Sequence, residues 1–192
     1  MIAIIGGKGS IGSRYDQICK YYASDHEVID IDSKSDLFSF EKYIICTPTH
    51  THVGFLHALQ GKKVLCEKPV DYDPRNIPDY PNMWTVCNYK YVTDAFPKPY
   101  FIEYDYYKTG PDGLYFDLAQ ILYLDPQAKI NNQSPKWNMK VNGKVIPYRE
   151  VEKSYIRMIH DFSEGHYQNL WTLAQGRDMS QAVLHRIEQD HE

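Results

Sequence analysis

The segment Ile2-Ala3-Ile4-Ile5-Gly6-Gly7-Lys8-Gly9-Ser10-Ile11-Gly12 constrains the fold more than any other part of this chain. A short apolar run leads into G-x-G-x-x-G at Gly7, Gly9 and Gly12, and Ile11, Tyr15, Ile18, Cys19 and Tyr22 then recur at helical intervals up to Ala23. A glycine loop between a buried strand and a helix is an arrangement that holds a dinucleotide. Gly7 permits a tight turn, Gly9 lets the backbone approach a pyrophosphate, and Gly12 lets helix and strand pack closely. The N–H groups across Lys8, Ser10 and Ile11 then face the phosphates. Asp32 follows 20 residues after Gly12, at the end of the next strand-like run, Glu27 to Asp32, where a carboxylate can accept from ribose hydroxyls. That acid favours NAD, whereas Ser33 and Lys34 just beyond it could receive a 2′-phosphate, so both NAD(H) and NADP(H) stay open. A bare glycine turn with an exposed acid is the competing reading.

Further strand-like runs lie at Tyr43–Cys46, Lys63–Cys66 and Trp84–Asn88, with a helical pattern over 51–60 that Gly61 stops. Pro74, Pro78 and Pro81 exclude a regular helix over 70–82. Strands alternating with crossovers predict a parallel α/β sheet of Rossmann type with about five strands, spanning 1–92. Residues 93–192 read as a small α+β domain. It has a strand over Tyr100–Tyr107, a helix over Leu114–Leu124, two or three short strands within 128–148, and helices over 150–165 and 177–190. Asn142-Gly143 between two valines signals a hairpin.

Composition narrows the class. Of 192 residues, 43% are hydrophobic and 24% charged, which is globular rather than disordered. The net charge of −4 argues against nucleic acid as partner. No apolar run approaches a membrane span, and the run after Met1 is too short for a secretory signal, so a cytoplasmic protein is expected. Cys19, Cys46, Cys66 and Cys87 form no C-x-x-C pair and read as buried core thiols. His50-x-His52 has no supporting acid or cysteine cluster, so no metal is expected. The chain has 17 tyrosines, densest between 80 and 123, which suits a small domain or a binding face.

Two later segments carry a resemblance. Ile44-Ile45-Cys46-Thr47-Pro48-Thr49-His50-Thr51-His52, followed by Ala58-Leu59-x-Gly61-Lys62-Lys63-Val64-Leu65-Cys66-Glu67-Lys68-Pro69, resembles the Gfo/Idh/MocA oxidoreductases, with their strand ending in T-P-x-x-x-H and strand ending in E-K-P. Asn88-Tyr89-Lys90 resembles the family's N-Y-R. The resemblance implies that Thr47, Pro48 and His52 line a nicotinamide cofactor and that Lys68 sits beside the reacting carbon. Glu67 would hold Lys68, and Pro69 would follow a peptide that is often cis. Burial beside a cationic nicotinamide is expected to lower the Lys68 pKa and so allow it to exchange a proton.

The family's D-x-G-x-H segment has a partial counterpart in 113–121. Asp117 matches the acid, and Ile121 stands where the histidine would be, with Gln120 beside it. A proton route must then use Lys68, Asp117, a tyrosine such as Tyr115 or Tyr123, or water. The connection after Asp32 is also too short for the family's usual helix and strand before Tyr43. The resemblance implies an NAD(P)-dependent oxidoreductase acting on a carbinol or carbonyl of a small substrate, with a sugar or sugar derivative favoured and a tetrapyrrole or imine open. Its broad second sheet often forms a subunit interface, which leaves a homo-oligomer open here. A degenerate nucleotide sensor or partner-binding protein is the alternative, and a methyltransferase is a remote third.

Overall fold

The computed structural model describes residues 1–22, 24–105, 111–131, 134 and 136–190, with the side chains of 111–116 and 186–190 outside the description. Three apolar tetrapeptides form the centre of a sheet: β1 (Ile2–Ile5), β3 (Lys42–Ile45) and β4 (Lys63–Cys66). β2 (His26–Ile29) flanks β1, and β5 (Met83–Thr85) flanks β4. The order is β10-β5-β4-β3-β1-β2, in which the first five strands of the chain run parallel. The sixth, β10 (Trp171–Thr172), returns from the C-terminal half and pairs antiparallel with β5. The sheet is thus one strand wider than the sequence predicts, because a two-residue strand leaves no periodicity to read.

Alternate residues of each strand enter opposite layers, as the pleat requires. Ile2, Ile4, Ile44, Leu65 and Trp84 face α1 (Ser10–Tyr21) and α5 (Tyr148–Glu164). Ala3, Ile5, Tyr43, Ile45, Val64 and Cys66 face α2 (Thr49–Ala58) and the start of α6 (Leu173–Asp190). Burial on both faces explains the continuous apolar runs. All four cysteines are buried and free.

The second sheet has the order β7-β6-β8-β9, built from β6 (Ile102–Asp105), β7 (Lys129–Asn131), β8 (Asn138–Val141) and β9 (Lys144–Val145). Asn142 and Gly143 both have positive φ in the β8–β9 hairpin, as the sequence predicts. The short α3 (Lys90–Thr93) follows β5, and α4 (Pro111–Leu124) follows β6 and packs along α6. Of the predicted strand over 100–107, residues 106 and 107 lie outside the described residues. Segment 70–82 holds only one turn of 3-10 helix, at Pro74–Asn76.

Register positions the site. Ile5, Ile45 and Cys66 are consecutive partners across β1, β3 and β4. The strands therefore stop in one row, and the glycine loop, Thr47-Pro48 and Glu67-Lys68 leave the sheet side by side. β2 and β3 lie on opposite sides of β1, so this row contains the topological switch point at which ligands bind open α/β sheets.

Candidate active site

The glycine loop turns at Gly6, whose φ is +78°, and not at Gly7 as the spacing suggests. The Gly6 N–H still bonds Ile29 O at 2.8 Å, so the turn begins while the strand ladder is intact. Gly7 has a different constraint, since a Cβ there would lie 2.5 Å from a Val28 methyl. At Gly12 a Cβ would meet Gly6 O and Gly7 Cα, both at 2.5 Å, which is the close helix–strand approach expected of the third glycine. Gly9 caps α1 without a side chain, and the N–H groups of Ser10, Ile11 and Gly12 have no recorded acceptor among the described residues. Such a helix start suits a phosphate.

The acid after β2 needs a correction of place. The strand ends at Ile29, and Asp30, not Asp32, stands at its edge. Asp30 accepts from the Lys8 N–H at 3.2 Å and from the Ile31 N–H at 2.9 Å, while Ser33 Oγ receives the Asp30 N–H at 2.8 Å. Asp32 lies two residues on, exposed, with both oxygens on the Lys8 ammonium at 2.5 and 2.7 Å. That pairing lowers the Asp32 pKa, chiefly through the hydrogen bond from Lys8. Sequence reasoning passed over Asp30 because the apolar alternation carried the strand too far.

A cavity of about 400 Å³ opens beside the loop, lined by Ser10, Thr47, Pro48, Lys68, Asp117 and Tyr155 among others. Lys68 follows β4 and precedes a cis peptide to Pro69. Its ammonium is buried and donates to Asn88 Oδ1 at 3.1 Å and Tyr155 Oη at 2.9 Å, with Asp117 Oδ1 at 3.9 Å. Glu67 accepts from the Lys68 N–H at 3.1 Å and from the Tyr15 hydroxyl. Glu67 therefore fixes the backbone of Lys68 and ties it to α1. Burial alone would lower the Lys68 pKa. Tyr155, Glu67 and Asp117 outweigh that and raise it, which reverses the expected shift and keeps the ammonium charged.

Asp117 and Lys68 come together as predicted. Asp117 Oδ2 accepts from the Tyr104 hydroxyl at 2.9 Å, and that hydroxyl is itself within 3.1 Å of Tyr89 Oη and 3.2 Å of Trp137 Nε1. Part of the tyrosine richness thus builds a hydroxyl network behind the site. Tyr123 is not near Lys68. Its ring packs edge-on against Trp171 at 4.7 Å, which removes it from the proton route. The Tyr115 side chain lies outside the described residues. Ile121 is fully buried in the core, one helical turn beyond Asp117.

His52 is buried, with Nε2 2.7 Å from Thr47 O and Nδ1 3.0 Å from Pro69 O. It bridges the two motifs, the single N–H of the neutral ring donating to one carbonyl while the other nitrogen lies against the second. His50 is exposed. Sequence reasoning missed Tyr155 and the role of Asn88. Asn88 lay in a noted motif. Tyr155 is 87 residues from Lys68 and carries no local signal.

No family model matches the chain. A 53-residue stretch is 38% identical to inositol 2-dehydrogenase of Rhizobium meliloti (strain 1021), covering 27% of this chain and 16% of that protein. The chain is similar in structure to a myo-inositol dehydrogenase from Corynebacterium glutamicum ATCC 13032, with a TM-score of 0.69, 12% identity and coverage of 97% and 95% of the two chains. It is likewise similar to a Gfo/Idh/MocA family oxidoreductase from Vibrio cholerae, with a TM-score of 0.65, 13% identity and 98% of each chain covered. The WlbA (WbpB) dehydrogenase from Thermus thermophilus, in complex with NAD and UDP-GlcNAcA, gives a TM-score of 0.61 at 10% identity, with 96% and 94% covered. The fold is therefore that of the Gfo/Idh/MocA dehydrogenases. Among the described residues no helix is long and apolar enough to cross a membrane.

Proposed function

We propose that this chain is an NAD(P)-dependent oxidoreductase, moving hydride between a nicotinamide and a carbinol or carbonyl carbon of a small substrate. The observation that carries the reading is the buried, charged Lys68 ammonium in a cavity that also reaches the start of α1. One wall suits a dinucleotide and the other suits a substrate oxygen. The open N–H groups of Ser10 and Ile11 and the bare Gly9 cap fit a pyrophosphate. Asp30 and Asp32 are within reach of the same loop and fit an adenosine ribose. Thr47 and Pro48 would flank the cofactor at the sheet edge, with His52 and Glu67 holding that edge in shape.

A bound nicotinamide supplies hydride chemistry at its C4. Lys68 donates to the substrate oxygen and stabilises negative charge there as the carbon is reduced. Asp117, held by Tyr104, orients both the ammonium and a substrate hydroxyl. Residues 1–92 act as the dinucleotide-binding unit, and 93–192 complete the substrate side through α4 and α5. Inositol and nucleotide-sugar dehydrogenases among the relatives support a polyol or sugar derivative as substrate.

Titration with NADH and NADPH, followed by energy transfer from tryptophan to the reduced nicotinamide, tests the reading. Micromolar binding of either is expected, and Lys68→Ala should keep that binding while losing turnover. Absence of binding to both overturns the reading and leaves a partner-binding role.

A further inference from the structure

The cavity contains a phenolic hydroxyl that the reading above does not use. Ile121 occupies the position where the resembling family carries its histidine, and it is buried among core side chains. Lys68 cannot readily give up a proton, because Tyr155, Glu67 and Asp117 together outweigh its burial and hold its ammonium charged. Asp117 already has one oxygen on the Tyr104 hydroxyl and the other 3.9 Å from the Lys68 ammonium, so its place is to hold those two groups. Tyr155 differs from both. Its Oη accepts the Lys68 N–H at 2.9 Å, and among the described residues no acceptor is recorded for its own hydrogen. It lines the same cavity as Lys68 and Asp117.

The tyrosine is also held in place. Ser154, its neighbour on α5, accepts from Asn88 Nδ2 at 3.1 Å, and Asn88 Oδ1 receives Lys68. The Tyr155 ring packs 6.1 Å from that of Tyr15 and lies under the Arg14 guanidinium at 5.1 Å. α5 is therefore fastened to the lysine from two sides, with the hydroxyl as the group left facing the cavity.

We infer that Tyr155 gives the proton to the substrate oxygen while hydride arrives at the adjoining carbon, a task that Ile121 cannot perform. The inference rests on the oxidoreductase reading. The substrate carbon gains hydride from the reduced cofactor, forming a C–H bond, and the carbonyl π pair moves to oxygen. That oxygen takes the proton as the Tyr155 O–H bond breaks. The product is an alcohol, and the phenolate left behind faces the Lys68 ammonium until water reprotonates it. Burial pushes the Tyr155 phenol above its ordinary value and the Lys68 ammonium offsets only part of that, so the proton is in place at neutral pH. Oxidation of the alcohol needs the phenolate and so should quicken as pH rises.

Tyr155→Phe removes the oxygen and keeps the ring. Wild type and variant are compared for NADH affinity, and for NADH-dependent reduction of cyclic polyol ketones and aldoses from pH 6 up to pH 12, because the Tyr155 phenol is raised above its ordinary value. Tyrosines labelled at Cζ are followed by NMR over the same range, and the resonance absent in Tyr155→Phe is assigned to Tyr155. The expected result is unchanged NADH binding and a fall in kcat of about 100-fold or more, the usual worth of a general acid. The variant should also lose the pH-dependent limb of the rate. The Tyr155 resonance should move toward phenolate at higher pH in Lys68→Met than in wild type. Wild-type rate and pH profile in Tyr155→Phe would overturn the inference while leaving the oxidoreductase reading intact. A Tyr155 resonance indifferent to Lys68→Met would overturn it without recourse to any substrate. Failure of wild type to bind NADH would instead defeat the reading beneath it.

Discussion

The imidazole of His52 joins the carbonyl of Thr47 to that of Pro69, at 2.7 and 3.0 Å. These carbonyls lie just past the ends of β3 and β4, so one ring sets the spacing between two motifs that the chain separates by about twenty residues. The contact also has a sign in pH. Burial holds the His52 pKa below its usual 6.5, against the pull of the two carbonyls. Between about 6.5 and that lower value the unfolded chain binds more protons than the folded one, so stability falls as pH falls through this window. Melting temperatures of wild type and His52→Ala from pH 8 to 5 should therefore converge on the acid side. The variant should be less stable at pH 8 by about 2–4 kcal/mol, from the lost contacts and the cavity. Parallel curves would show that His52 carries no such linkage.

Two glycines in helices should respond to alanine with opposite signs. At Gly12 the new methyl would collide with backbone at 2.5 Å, where nothing flexible can yield. Gly12→Ala should lose about 2 kcal/mol or more and weaken dinucleotide binding as the loop is displaced. Gly54 sits inside α2 with nothing within 4 Å of the added carbon. Gly54→Ala should gain about 0.5–1 kcal/mol, since alanine is the better helix former and restricts the unfolded chain. Urea denaturation of both variants measures the pair, and a loss at Gly54 would contradict the packing described.

The sheet was legible because its information is local. Four-residue apolar runs between glycine and proline punctuation specify strands on their own, and Gly12 announces its packing through spacing alone. Gly6 was less so, because G-x-G-x-x-G marks the glycines without saying which one bends the chain. Tyr155 was not legible at all. In sequence it is one aromatic among 17 tyrosines on an amphipathic helix, and only folding brings α5 onto β4. The sign of the Lys68 shift had the same origin. Burial could be anticipated, but the groups that outweigh it come from α5, from the residue just after β4 and from α4.

Tyr104 gives a test of the network behind the acid. It is buried, and its hydroxyl donates to Asp117 while lying against Tyr89 and Trp137. Tyr104→Phe leaves a carboxylate free to turn from Lys68 and takes a partner from the buried Tyr89 hydroxyl and from the half-buried Trp137 indole. A stability loss of about 1–3 kcal/mol is expected. If Asp117 orients substrate, KM should rise as well, with NADH affinity unchanged because the cofactor wall is untouched. A variant that loses stability but keeps KM would limit Tyr104 to a structural part.

The Lys8–Asp32 pair should govern which dinucleotide is preferred. Both side chains are mostly exposed and sit beside the glycine loop, where the pair presents no net charge. Removing the carboxylate would free the Lys8 ammonium of its ion pair, leaving only the weaker pull of Asp30, on the side of the loop where Ser33 and Lys34 follow in sequence as groups suited to a 2′-phosphate. Asp32→Ala should therefore shift the ratio of NADPH to NADH affinity upward by about tenfold, equivalent to roughly 1.4 kcal/mol, and the gain should shrink as salt is added. Asp30 behaves differently because it holds the Lys8 and Ile31 amides in place. Asp30→Ala loosens the loop itself, so affinity for both cofactors should fall together. Fluorescence titration of the two variants with each dinucleotide separates the roles. A shared loss from both substitutions would mean that Asp32, like Asp30, shapes the loop and does not set the preference between the two dinucleotides.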